Sequence, residues 1–157
     1  MSPYSPRAAG SKANTALMES MVGEWKPYTP VWTSGGTAPA IGGDGTLTGR
    51  YVIIGDTCHF QIKLTGGGST NWGTGNYNFS LPVQAAATPD HVGTLFVGDS
   101  SVGASGFSTG IAFLGSGGTT VGAYVGAKNA ASSISNVNPQ TFASGDRIWL
   151  TGTYEVA

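Results

Sequence analysis

The chain has 157 residues, only 10% of them charged, with 26 glycines and a formal net charge of −1. Ordinary soluble domains carry about a quarter charged residues, so hydroxyl, amide and backbone groups must form much of this surface. The seven Lys and Arg residues are spread singly along the sequence and form no basic stripe for nucleic acid. No run of about 18 apolar residues is present, which argues against membrane insertion.

The N-terminal residues predict an arm followed by a helix. Residues 1–13 contain two prolines and no apolar periodicity, so we expect an extended arm that is ordered by docking on a partner. Residues 14–26 carry apolar side chains at spacings of three and four, which indicates a short amphipathic helix. Such a helix is marginal alone, so its stripe needs either its own domain or copies of the chain. The candidate anchoring and oligomerisation residues are Tyr4, Leu17, Met21, Val22 and Trp25.

Residues 27–157 predict about eight short strands separated by Gly-rich turns. The predicted strands cover residues 29–34, 46–54, 57–65, 76–81, 91–102, 107–114, 119–127 and 147–156. In the third of these, Cys58, Phe60, Ile62 and Leu64 alternate with polar residues, so one face is dry and one is wet. Dry faces must be buried against each other, which predicts an all-β antiparallel sandwich, jelly roll or small closed sheet; we favour the jelly roll.

Residues that carry enzyme chemistry are sparse. The two histidines, His59 and His91, have no chelating spacing, and Cys58 is predicted on the opposite strand face from His59. Most acids lie beside Gly or Pro in predicted turns, where Asp side chains cap the backbone. The Gly-rich segment LTGGGSTNWGTGN lacks the Lys and the helix that phosphate-binding loops require. We therefore expect no catalysis, no metal and no cofactor.

Aromatic residues are the one class that could mark a recognition surface. Trp72 stands in the Gly-rich segment, close to Tyr77, and Trp149 falls on the polar face of the last strand. Exposed Trp and Tyr rings suit stacking on sugars or contact with a protein partner. The alternative is that neighbouring loops or chains cover these rings.

Several motifs resemble a known group of proteins. In order, they are W-x-x-Y-T-P-x-W, the turn I-G-x-G with one extra residue, G-x-Y-x-x-I-G and G-x-G-x-Y-x-F-x-L-P. The matching residues are Trp25, Tyr28, Thr29, Pro30, Trp32, Ile41, Gly42, Gly45, Gly49, Tyr51, Ile54, Gly55, Gly73, Gly75, Tyr77, Phe79, Leu81 and Pro82. This pattern is similar to that of β-rich domains in minor tail, tail-fibre and accessory virion proteins of tailed bacteriophages that infect actinobacteria.

The resemblance implies a trimeric, jelly-roll-like virion module and not an enzyme. Because this module usually ends a longer polypeptide and here follows only a short segment, we expect a capsid decoration or head-fibre protein. Its arm would dock on the major capsid protein. The alternative is a minor tail or baseplate module that binds host cell-surface glycan through Trp72 and Tyr77. A cellular carbohydrate-binding module is a third interpretation. The absence of a signal-peptide core favours synthesis in the host cytoplasm and a final place on the virion surface.

Overall fold

The computed structural model describes Met18 and residues 21–88, 90–127 and 130–157. These residues form ten strands and one turn of 3-10 helix, Gly103–Gly106. The strands are β1 (Lys26–Tyr28), β2 (Trp32–Ser34), β3 (Thr46–Ile54), β4 (Thr57–Thr65), β5 (Tyr77–Ser80), β6 (His91–Gly98), β7 (Phe107–Leu114), β8 (Thr120–Ala127), β9 (Ala130–Ser133) and β10 (Arg147–Glu155). The prediction of an all-β antiparallel fold is confirmed.

All ten strands belong to one curled sheet. Its order is β1-β3-β4-β10-β6-β7-β8-β5-β2, with β9 paired to β8, and the pairs are antiparallel. The first and last strands of this path are neighbours in sequence, so the sheet bends until its two ends meet. Next to this connection, the Ser80 N–H donates to the Val31 carbonyl at 2.9 Å and its Oγ accepts from the Val31 N–H at 2.8 Å, which extends the β2–β5 pairing; from β1, the Tyr28 hydroxyl donates to the Ser80 carbonyl at 3.4 Å.

The core lies inside this curl, and strand alternation supplies it. Cys58, Phe60, Ile62 and Leu64 of β4 are between 0 and 3% exposed, which confirms the predicted dry face. On β10 the inner position at residue 152 is a glycine, and a Cβ there would lie 2.8 Å from the Phe60 ring. The ring of Phe60 therefore occupies the space that a side chain at 152 would need.

Buried tyrosines join the core to its loops. Tyr77 donates its hydroxyl to the Trp72 carbonyl at 2.6 Å, and Tyr154 donates to the Val83 carbonyl at 2.9 Å. Burial raises the pKa of both hydroxyls well above the ordinary tyrosine value. Each ring thus adds apolar packing while its one polar atom is satisfied.

The strand predicted over residues 29–34 begins only at Trp32, those predicted over 76–81, 119–127 and 147–156 differ by one residue at one or both ends, and three larger differences remain. Strands β1 and β9 were not predicted, since their sequences KPY and AASS lack the β-branched residues that mark a strand. Strand β6 ends at Gly98, four residues early, because Asp99 begins a turn in which its carboxylate accepts from the Ser101 N–H at 2.8 Å.

The predicted N-terminal elements lie mostly outside the described residues. This holds for the arm, residues 1–13, and for most of the helix predicted over residues 14–26. Met18, Met21 and Val22 have helical backbone, Gly23 follows with φ +72°, and β1 begins at Lys26. A positive φ of this kind is common at the residue after a helix.

Candidate ligand-binding face

The side of β3, β4, β10 and β6 that points away from the core is here called the outer face. Cross-strand register arranges it in rows, because directly opposed residues of antiparallel strands share a face. The rows are Thr48, Lys63, Trp149 and Phe96; then Arg50, Gln61, Thr151 and Thr94; then Val52, His59 and Thr153. The polar side chains that alternate with core residues along β4 and β10 therefore lie side by side on the outer face.

A shallow groove runs over this face. It consists of three adjoining depressions of about 340, 310 and 420 Å³, all of which include Gln61. The side chains that define this outer groove are Trp25, Thr48, Arg50, His59, Gln61, Lys63, Thr94, Phe96, Trp149, Thr151 and Thr153. Among the described residues that line it, none is acidic.

Trp149 lines one of the three depressions of the outer groove and is surrounded by aromatic and cationic groups. Its ring centroid is 5.2 Å from that of Phe96, with the planes tilted by 37°. The Lys63 ammonium lies 5.1 Å from the centroid and the Arg147 guanidinium carbon 5.8 Å from it, within cation–π range. The indole Nε1 is buried and has no hydrogen-bond acceptor among the described residues.

Arg50 is held in place at the other side of the groove. Its Nε donates to Gln61 Oε1 at 2.8 Å, and its guanidinium carbon lies 4.6 Å from the centre of the Trp25 ring. Because only Nε is engaged by Gln61, the terminal nitrogens keep donors that can face a ligand. A guanidinium fixed in this way loses less side-chain entropy when it binds an anion or a hydroxyl.

The cations that are dispersed in the sequence are gathered in space. The structure describes four Lys and Arg residues, and three of them lie on the outer face: Arg50, Lys63 and Arg147, the fourth being Lys26. Dispersal along the sequence therefore does not mean dispersal in space in the described part of the fold. Pairing of β3, β4 and β10 is what brings them together.

Two of the predicted recognition residues do not form a surface site. Trp72 stacks on Phe142 at 4.8 Å and meets Trp32 edge-on at 5.5 Å, while Tyr77 is 1% exposed. A Cβ at Gly66 would collide with the Trp72 ring, so the glycine opens the space in which the indole packs. Tyr77 is therefore buried in the core, whereas Trp72 is partly buried and packs against the core. Trp149 is also partly buried and lies on the outer face, where its ring borders the groove.

The described part of the predicted oligomerisation stripe is exposed. Met21 is 56% exposed, Val22 72% and Trp25 44%, and Gly23 lies against Val52 and Ile54 of β3. Tyr4 and Leu17 lie outside the described residues.

The histidines and the cysteine are placed without a reactive partner set. Cys58 is fully buried, and burial raises the pKa of its thiol. His59 Nδ1 lies 3.0 Å from the Thr153 hydroxyl on the outer face. Within the described ranges, no group of three or more His, Cys, Asp or Glu residues is close enough to hold a metal ion. The helical residues that are described form no helix long and apolar enough to cross a membrane.

Comparison with known proteins finds a similar prophage protein. The chain is 32% identical, over 117 residues, to the Mu-like prophage FluMu defective tail fiber protein of Haemophilus influenzae. The match covers 73% of this chain and 18% of that protein, so the chain spans about a fifth of the length of this relative. No family model matches the chain, and no solved structure matches it. The similarity supports a bacteriophage virion protein; an actinobacterial host stays a prediction.

Proposed function

We propose that this chain is a non-enzymatic structural module of a tail-fibre-type virion protein and that its outer groove binds host cell-surface glycan. The similarity to a prophage tail fibre protein carries the virion setting and favours the tail over the capsid. The same similarity covers a small share of that protein, so the glycan-binding role depends on the chemistry of the groove.

The groove chemistry suits sugars. An aromatic ring offers a flat apolar surface to the C–H face of a sugar, and hydroxyl and amide groups beside it exchange hydrogen bonds with sugar hydroxyls. Trp149 supplies the ring, while Thr94, Thr151 and Gln61 supply the polar groups in the same depression. A shallow groove of this kind gives weak single-site binding, which several copies on one fibre would strengthen through avidity.

Self-association is part of the proposal. The exposed side chains of Met21 and Val22 support a homo-oligomer, and the resemblance to trimeric phage modules suggests three copies. Sedimentation equilibrium of the purified chain measures this directly, and we expect a mass of three chains. A mass of one chain across the micromolar range would contradict the oligomeric part of the proposal.

Capsid decoration stays a prediction based on the arm, whose residues lie outside those described. Gold-labelled antibody on intact virions distinguishes the two placements, since the tail-fibre proposal predicts label at the tail and the capsid interpretation predicts label on the head. Purified protein should also compete with virions for adsorption to host cells. Label confined to the head, together with no effect on adsorption, would contradict the proposed function.

A further inference from the structure

The charge of the outer groove is one-sided. Arg50 and Lys63 line the groove, and Arg147 lies beside the Trp149 ring. No acidic side chain is among the described residues that line the groove. The chain as a whole is weakly negative, so this positive face differs in sign from the net charge. A groove lined by one sign of charge concentrates ligands of the opposite sign.

Two of the cations also lie at the ring on which a sugar would stack. The Lys63 ammonium and the Arg147 guanidinium lie over the Trp149 ring, 5.1 and 5.8 Å from its centre, so a sugar that displaces them from the ring face has both within reach of its substituents. Arg50 faces the same depression from β3 and is steadied by Gln61. Guanidinium and ammonium groups form their strongest hydrogen bonds with carboxylate and phosphate oxygens.

Resting on the proposed function, we propose that the glycan bound in the outer groove is acidic: its sugar ring stacks on Trp149, and its carboxylate or phosphate group is bound by Lys63, Arg50 and Arg147. Carboxylated and phosphorylated sugars share the anionic chemistry that these residues recognise. A neutral glycan would use the ring and the hydroxyls but would leave the three cations without a role.

The test uses immobilised bacterial surface polysaccharides, anionic and neutral, and measures binding of the full chain by biolayer interferometry. We expect binding to be concentrated on anionic polymers. For the tightest binder, chemical reduction of carboxylates and enzymatic removal of phosphates show which group is bound, and removal of the recognised group should weaken binding at least about tenfold. Raising the ionic strength from about 0.05 to about 0.5 M should weaken it as well.

Variants connect this binding to the groove. Lys63→Ala and Arg50→Ala should each weaken binding about fivefold, while Lys26→Ala, which removes a cation away from the groove, should leave it unchanged. Trp149→Phe keeps an aromatic ring and should bind more weakly than the wild type, and Trp149→Ser should not bind measurably. The far-ultraviolet circular dichroism spectrum of each variant verifies that it is folded. If Trp149→Ser does not fold, Trp149→Phe alone tests the contribution of the ring to binding.

The outcomes separate the two proposals. Equal binding to neutral and anionic polymers, with no effect of Lys63→Ala or Arg50→Ala, would overturn the acidic-glycan inference and leave the proposed function standing. Absence of binding to every polysaccharide would overturn both if the protein also failed to compete with virions for host cells. Binding that is lost with the anionic group but unaffected by the groove variants would place the site elsewhere and overturn the inference.

Discussion

Asp146 should be one of the most sensitive polar positions in the fold. Its carboxylate is 1% exposed and accepts hydrogen bonds from Ser100 N at 2.8 Å, Ala143 N at 2.9 Å, Gln140 Nε2 at 3.0 Å and Ser100 Oγ at 3.1 Å. It thus joins the loop after β6 to the loop before β10. Asp146→Ala leaves two backbone N–H groups without an acceptor, each at a cost of about 1–3 kcal/mol, so we expect a loss of about 2–6 kcal/mol in the free energy of unfolding.

Urea unfolding followed by tryptophan fluorescence measures this loss, with the slope of the transition as a check on two-state behaviour. The free energy of unfolding of Asp146→Asn should lie between those of the wild type and Asp146→Ala, since one carboxylate oxygen is replaced by an amide nitrogen that faces other donors. The matched control is Asp99→Ala: this exposed carboxylate also bonds a backbone N–H, but water can replace it, so its loss should be much smaller. An Asp146→Ala variant as stable as Asp99→Ala would refute the reasoning.

Three further predictions concern stability and reactivity. Hydrogen bonds from Ser69 hold the pKa of Asp44 below its usual range, so the stabilisation they provide is present at neutral pH and is lost as the pH falls through that lowered value. Wild type should therefore lose more stability than Asp44→Asn when acid titrations pass below about pH 4, and parallel curves would contradict this. Cys58 is fully buried with a raised thiol pKa, so a thiol reagent should label it only as fast as the protein unfolds; rapid labelling of native protein would count against its position. Gly110→Ala places a Cβ against the Tyr124 carbonyl and should cost about 1–3 kcal/mol in thermal unfolding, whereas Gly126→Ala meets nothing within 4 Å and should be near neutral; equal effects would be inconsistent with this packing.

The strands with strong local patterns were predictable from the sequence. Strands β3, β4 and β7 have the predicted bounds, because β-branched and aromatic residues fill them and turns bound them. The turn at Gly55, with φ +63°, was visible in the same way. Strand β1 was not, since Pro27 is compatible with a strand only at an edge, and an edge position depends on the whole sheet.

The candidate site was only partly predictable, because it depends on pairing between distant strands. Alternation along β10 already placed Trp149 on the polar face. That Lys63 lies beside it follows from the register of β4 with β10, and that Arg50 lies beside Gln61 follows from the register of β3 with β4. The partial burial of Trp72 depends in turn on Phe142, which is distant in sequence. The sequence left open whether neighbouring loops cover this ring, and long-range packing covers part of it.

Adhesion of the chain to host cells through the outer groove is the central claim. The direct measurement is flow cytometry of host cells incubated with fluorescently labelled wild type, Trp149→Ser and Val137→Ser proteins. Val137 is an apolar side chain outside the groove lining, 62% exposed, and so serves as the control. We predict that wild type and Val137→Ser stain the cells and that Trp149→Ser, shown to be folded, does not. Equal staining by all three proteins would contradict the claim.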